Sequence, residues 1–245
     1  MRLDKFLADM TPYSRNDIKK LIRRGAVTVN GQQAVSGSQQ VEETAEVFLG
    51  SEQISYRRFE YYLLNKPAGY ICANYDASQP VAMELIDSPR RDLSCVGRLD
   101  KDTEGAILIT NDGKLNHGLL TAANHVDKTY YAEFIGELPA DAAEIMARGI
   151  AFKDFTSLPA VLEIIDDHRA YLTVHEGRFH QVRRMFQHLG CLVTYLRRDE
   201  FAGLTLEGLK CGQYRRLTEE EVDSLKQMSD PEQVKGDDRP APKQG

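Results

Sequence analysis

Residues 97–105 read Gly97-Arg98-Leu99-Asp100-Lys101-Asp102-Thr103-Glu104-Gly105, and the apolar run Ala106-Ile107-Leu108-Ile109-Thr110 follows at once. Such a run is the pattern of a buried strand, and Asn111-Asp112-Gly113 closes it with a turn signal. The charged segment is therefore a loop delivered onto a buried sheet. A lone aspartate in a loop is ordinarily a turn former or a cap. Here Arg98 stands two residues from Asp100, close enough to pair with it or to bind a phosphate, and the flanking glycines let a ligand approach the backbone.

The neighbouring segments set the fold class. Tyr61–Asn65 reads as a strand that ends at the turn Lys66-Pro67-Ala68-Gly69-Tyr70, and Leu115, Leu119 and Leu120 suggest a short helix. Thr129–Ile135 alternates, with Tyr130, Ala132 and Phe134 on one face. Val161–Ile165 and Ala170–Val174 flank Asp166-Asp167-His168-Arg169 as a hairpin. Many strands with interspersed helices and no regular βαβ alternation predict an α+β domain with a mixed, mainly antiparallel sheet. This domain is expected over residues 59–229, and a tail rich in Pro, Gly, Asp and Lys, expected to be disordered, over 230–245.

Residues 1–58 read as a separate small module. Leu3, Phe6, Leu7 and Met10 lie on one helix face, which Thr11-Pro12 terminates. Ser14 and Asp17 form a capping-box variant that opens a second helix, with Ile18, Leu21 and Ile22 inward and Gly25 as its stop. Arg15, Lys19 and Arg23 share another face, flanked by Lys20 and Arg24. Ala26–Val29 then alternates as a strand into the tight-turn signal Asn30-Gly31, and Ala45–Leu49 is a second strand pattern.

Net charge is −6 over 245 residues, which taken alone disfavours a polyanionic partner. Its distribution says otherwise: five basic residues and one acid lie between Arg15 and Arg24, and five arginines, three histidines and one acid between His175 and Arg198. Local patches set the field a polyanion meets. The four cysteines Cys72, Cys95, Cys191 and Cys211 are isolated, so neither a metal site nor a disulfide framework is expected. Nothing reads as a membrane span or signal core, and a cytoplasmic protein, expected to be a monomer, fits.

Two further segments carry chemistry. Glu176-Gly177-Arg178-Phe179-His180-Gln181-Val182-Arg183-Arg184-Met185-Phe186 has helical periodicity. Phe179, Val182, Met185, Phe186 and Leu189 are expected on its apolar side, and His180, Arg183, Arg184 and Gln187 on the other. That polar face holds no acid, and an unpaired cationic face suits phosphate contact. Asp127-Lys128-Thr129-Tyr130-Tyr131 enters a strand, and a tyrosine there is either core or a stacking platform for a base.

The order of helices, strand and turn behind Met1-Arg2-Leu3-Asp4-Lys5-Phe6-Leu7 resembles the S4-type RNA-binding domain. Gly97-Arg98-Leu99-Asp100 with Thr103 and Gly105, then Lys128-Thr129-Tyr130, then Gly177 to Met185, resemble the signature blocks of pseudouridine synthases. Lys66-Pro67-Ala68-Gly69 and the S4-like module narrow the resemblance to the group typified by the small-subunit rRNA enzyme. That resemblance implies roles. Asp100 would be the essential carboxylate, Tyr130 would contact the target base, and Arg183 would pair with Asp100 and hold it ionised. Leu217 would form an apolar wall, and Arg98, Arg178 and His180 would contact substrate. Asp102 reads as loop structure, because the family's acid directly follows Arg-Leu. The RNA-facing cations of this reading are Lys5, Arg15, Lys19, Lys20, Arg23 and Arg24, with Arg184 from the later helix.

The reaction so implied breaks the bond from ribose C1′ to uracil N1, turns the base and joins C1′ to C5, without metal or other cofactor. A carboxylate can attack C1′ or take a proton from the adjoining sugar carbon. Both require the uridine to leave its stack, at a cost of a few kcal/mol. The implied substrate is ribosomal RNA, and the opening residues point to the 16S RNA of the small subunit. The alternatives are a 23S-directed relative, a non-catalytic ribosome-associated RNA-binding protein, and a glycoside hydrolase with paired carboxylates, which lacks a clearly placed second acid.

Overall fold

A computed structural model describes residues 1–230, so the tail expected over 230–245 lies, Asp230 apart, outside the described residues. The chain divides into two compact units, one of Met1–Glu60 with Ile86–Leu93, the other of Tyr61–Leu85 with the chain from Ser94 onward.

The first unit opens with α1 (Leu3–Met10) and α2 (Arg15–Arg23). Ser14 caps α2 by accepting a hydrogen bond from the Asp17 amide at 3.2 Å, and Gly25 leaves the helix at φ +75°. The strands β1 (Val27–Val29), β2 (Gln32–Gln33), β3 (Val47–Leu49) and β4 (Glu52–Ile54) form an antiparallel sheet in the order β2-β1-β3-β4. Asn30 and Gly31 both take positive φ, 49° and 76°, as the tight turn between β1 and β2 requires. Leu3, Phe6, Leu7, Ile18, Ile22, Val27 and Val47 make its core. Each such side chain contributes roughly 1.5–3 kcal/mol on burial. With those faces turned inward, Arg15, Lys19, Lys20, Arg23 and Arg24 are left exposed.

The second unit contains β5 (Tyr61–Lys66), β6 (Ser94–Cys95), β7 (Glu104–Thr110), α3 (Gly113–Leu120), β8 (Lys128–Ile135), α4 (Ala142–Arg148), β9 (Val161–Asp166), β10 (Arg169–Val174), α5 (Gln181–His188), β11 (Leu192–Phe201), β12 (Leu204–Thr205), β13 (Tyr214–Arg216) and α6 (Glu219–Ser229). Its sheet runs β13-β5-β7-β11-β8-β10-β9, with β6 on β7 and β12 on β11. Only β7 and β11 are parallel; the remaining pairings are antiparallel, so the expected mixed, mainly antiparallel sheet is found.

Strand β11, ten residues at the centre of the sheet, is not among the strands expected from the sequence. It lies so close to β7 that a Cβ built on Gly105 would stand 2.2 Å from the Arg198 carbonyl oxygen. Gly105 therefore serves strand packing rather than ligand approach, because no larger residue fits there. A second difference concerns the basic helix. It begins at Gln181, preceded by His180 at φ +50°, so Phe179 lies outside the helix and is 67% exposed instead of joining its apolar side.

Candidate active site

The charged loop before β7 borders a cavity of about 360 Å³ within the second unit. Asp100, Tyr130, Arg183, Arg98, Arg178 and His180, far apart in sequence, all line it. The loop is tied down on both sides of Asp100. The Leu99 amide donates to Cys72 Sγ at 3.3 Å, and the Lys101 carbonyl accepts from the Gly69 amide at 2.7 Å. Lys66, fully buried, donates to the carbonyls of Pro67 and Tyr70 at 2.9 and 2.8 Å and holds that turn closed. Burial pushes the Lys66 ammonium below its ordinary pKa. Beneath the loop, the Cys95 thiol and the Leu99 amide hydrogen-bond to Cys72, and together they depress the Cys72 pKa. Thus the Lys-Pro-Ala-Gly turn positions the carboxylate loop through the backbone.

The Asp100 side chain is 30% exposed, and His180 Nε2 stands 3.6 Å from its Oδ1. That is beyond hydrogen-bonding length. The expected Arg183–Asp100 pair is not formed. Arg183 donates instead to Asp102 Oδ2 at 2.9 Å and to the Val193 carbonyl at 3.2 Å. Asp102 is 71% exposed and does not line the cavity, whereas Asp100 and Arg183 do.

The expectation that nothing neutralises the basic helix face also fails. Arg184 is held in a fork by Asp154, and Arg178 Nε meets Glu176 Oε2 at 3.2 Å. Both acids come from outside the helix. Lys5 is likewise paired, with Asp9 at 2.5 Å, and Lys20 with Asp17 at 3.1 Å. Arg98 is exposed and makes no ion pair among the described residues. At the cavity edge, Phe179 and His180 stack with ring centroids 3.8 Å apart and planes 18° apart.

Tyr130 reaches the cavity from the buried face of β8. Behind it stand two cations that sequence reasoning missed as site residues, Lys128 and Arg198. Leu217 is not brought to the cavity: the chain leaves β13 there, and its side chain packs against the cluster of Leu63, Leu115, Leu119 and Leu225. Among the described residues no group of three or more His, Cys, Asp and Glu side chains is gathered as a metal site.

The arrangement offers a carboxylate and a tyrosine lining one cavity, apolar walls including Val174, Val182 and Leu196, and both exposed and buried cations. It can hold a planar neutral ring against the carboxylate while guanidinium groups meet phosphates.

Comparison with known proteins agrees. The profile of the RNA pseudouridylate synthase family matches residues 60–188, and that of the S4 domain matches residues 1–47. Ribosomal small subunit pseudouridine synthase A of Vibrio vulnificus is 38% identical over 231 residues, covering 92% of this chain and 99% of its own. The protein of the same name from Escherichia coli (strain K12) is 38% identical, covering 92% and 100%. A crystal structure of a pseudouridylate synthase superposes with a TM-score of 0.65 at 36% identity, covering 92% of this chain and 99% of that one. Fold, cavity and relatives together define an isomerase that acts on RNA. The chain belongs to the RNA pseudouridylate synthase family, with an S4 domain at its N-terminus.

Proposed function

We propose that the protein converts one uridine of 16S ribosomal RNA to pseudouridine, at the site of the uridine 516 type. Asp100 is the reacting carboxylate, Tyr130 contacts the base, and Arg183 is the cation at the carboxylate loop. Arg98, Arg178 and His180 engage the strand on either side of the flipped nucleotide, and the exposed basic face of α2 holds flanking RNA. The observation that carries the reading is the convergence of Asp100, Tyr130 and Arg183 on one cavity, with the Asp100 carboxylate free of hydrogen bonds among the described residues. A volume of about 360 Å³ falls at the small end of ligand cavities, as a single extruded nucleoside needs. Relatives matched over nearly their whole length carry the small-subunit name, which supports the choice of RNA.

The test is pseudouridine mapping of ribosomal RNA from a deletion strain complemented with wild-type protein or Asp100→Asn. One pseudouridine of 16S RNA should vanish on deletion and return only with the wild type. Its return with Asp100→Asn would remove Asp100 from the chemistry. Loss of a 23S site instead would overturn the choice of substrate.

A further inference from the structure

Arg198 is the residue of the cavity that its surroundings explain least. It lies on β11, in register with Tyr130 of β8 on one side and Gly105 of β7 on the other, and is 2% exposed while lining the cavity. Its Nε donates to the Ala106 carbonyl at 2.7 Å, and Nη1 stands 3.5 Å from the Tyr130 hydroxyl, at the limit of a hydrogen bond. The remaining nitrogen, Nη2, is buried without any partner. Aromatic faces surround the group, Phe201 at 4.8 Å and Tyr130 at 5.9 Å. Lys128 is buried beside it, donating to the Val126 carbonyl at 2.7 Å. Among the described residues neither cation forms an ion pair with a carboxylate; the nearby Cys72 thiol, whose pKa the Arg198 charge helps to lower, already accepts from the Cys95 thiol and the Leu99 amide.

A buried guanidinium with no carboxylate against it is expensive, and an arginine cannot escape the cost by releasing its proton. Lys128 registers the same field: burial first, and then the nearby Arg198 charge, pull its pKa down to about 8. An apolar residue would fill the sheet at less cost. The positive floor is therefore matched to something that arrives, and it is anionic or becomes so.

We propose that Arg198 is a catalytic residue of the isomerisation, stabilising the negative charge that gathers on uracil when its bond to ribose breaks. This rests on the reading of the Asp100 cavity as the place where uridine reacts. As C1′–N1 breaks, its electron pair stays with the base and spreads over N1, O2 and O4. After the ring turns, a C5 electron pair forms the new bond to C1′, the C5 proton leaves to a base or water, and N1 takes a proton, so the product is an isomer of the substrate. A guanidinium in a water-poor cavity favours the charge-separated state over neutral uridine, which is the condition for faster chemistry rather than tighter binding. The unpartnered Nη2 and the weakly engaged Nη1 are the donors available to a ring oxygen. The exposed Arg98 has the complementary task of meeting phosphates at the mouth.

The experiment uses the full chain with Arg198→Met and Arg198→Lys. It measures single-turnover tritium release from 5-tritiated uridine in transcribed ribosomal RNA, RNA affinity by filter binding, and thermal melting. Wild-type activity on 16S rather than 23S RNA is established first, so that an error in the choice of RNA shows itself before any variant is compared. Arg198→Met should slow the single-turnover rate at least 100-fold while RNA affinity stays within threefold, and Arg198→Lys should fall between it and wild type.

A second substrate separates charge stabilisation from positioning of Tyr130. With 5-fluorouridine, whose more acidic ring is a better leaving group, the gap in C1′–N1 cleavage between wild type and Arg198→Met should narrow at least tenfold. The proposal is overturned by a rate within threefold of wild type, by an equal loss of RNA affinity, or by the same gap with both substrates. Loss of cooperative melting in both variants would assign Arg198 to the fold and overturn it too.

Discussion

Gly105→Ala tests the closeness of β7 and β11, on which the position of the cavity floor depends. A Cβ at this position would lie 2.2 Å from the Arg198 carbonyl oxygen and 2.6 Å from its amide nitrogen, and φ is +109°. Both struck atoms are backbone in the middle of a sheet, so they cannot swing aside. Holding a non-glycine residue in such a conformation costs about 1–3 kcal/mol. Overpacking a close-packed interior adds about 1–3 kcal/mol. Taking ~4 kcal/mol in all, with 2–4 °C per kcal/mol for a domain of this size, the melting temperature should fall by ~8–16 °C. Gly97→Ala is the comparator. It also has positive φ, +71°, but its Cβ would meet only the flexible end of Leu120 at 3.0 Å, so conformational strain of ~1–2 kcal/mol dominates, or about 2–8 °C. Scanning calorimetry of both variants decides. A Gly105→Ala protein melting within 2 °C of wild type, or no lower than Gly97→Ala, would refute the close-approach argument.

Asp102→Asn should keep the turnover rate within threefold and stability within about 1 kcal/mol, because an exposed ion pair contributes little; a loss matching that of Asp100→Asn in single-turnover kinetics would make Asp102 the essential acid. Lys19→Glu with Arg23→Glu should weaken RNA binding and reduce the slope of log affinity against log salt by up to about two, since both side chains are exposed and, among the described residues, free of ion pairs. An unchanged slope in filter binding would remove α2 from the RNA interface. Cys72, its pKa depressed by the Cys95 thiol and the Leu99 amide, should keep its reactive thiolate at lower pH than a free cysteine, whose pKa is about 8.5. Its iodoacetamide rate should rise through a midpoint at least one unit below that value, and Cys95→Ser should move the midpoint upward; a midpoint at or above the free value would contradict the hydrogen-bonding account.

The elements that the sequence exposed are those with local causes. Helix α2 follows from Ser14, the apolar spacing and Gly25; β8 from strict alternation; the turn after β1 from Asn30-Gly31. The others carry weaker local signals. Leu192-Val193-Thr194-Tyr195-Leu196 after Gly190 is a β-branched and aromatic run, and Thr218 with Glu221 is a capping box that announces α6. At the candidate site, Asp100 and Tyr130, each drawn from a short local motif, line the same cavity.

The ion pairs were not legible, because charge partnership is a tertiary property. Arg184 meets Asp154 thirty positions away and Arg183 meets Asp102 across eighty-one, so the absence of acids within a helix says nothing about its field. The same separation explains Arg198. In sequence it is one arginine among five in a basic stretch, indistinguishable from a phosphate ligand. Only its register between Gly105 and Tyr130 shows that it is inside the sheet while Arg98 is at the surface. The basic stretch thus carries several kinds of cation: Arg183 and Arg184, neutralised by distant acids; Arg178, shared with the buried Glu176; and Arg198, buried with no acid. Because the others already have acidic partners, Arg198 is left as a cation without one, and its removal should change chemistry without changing RNA affinity.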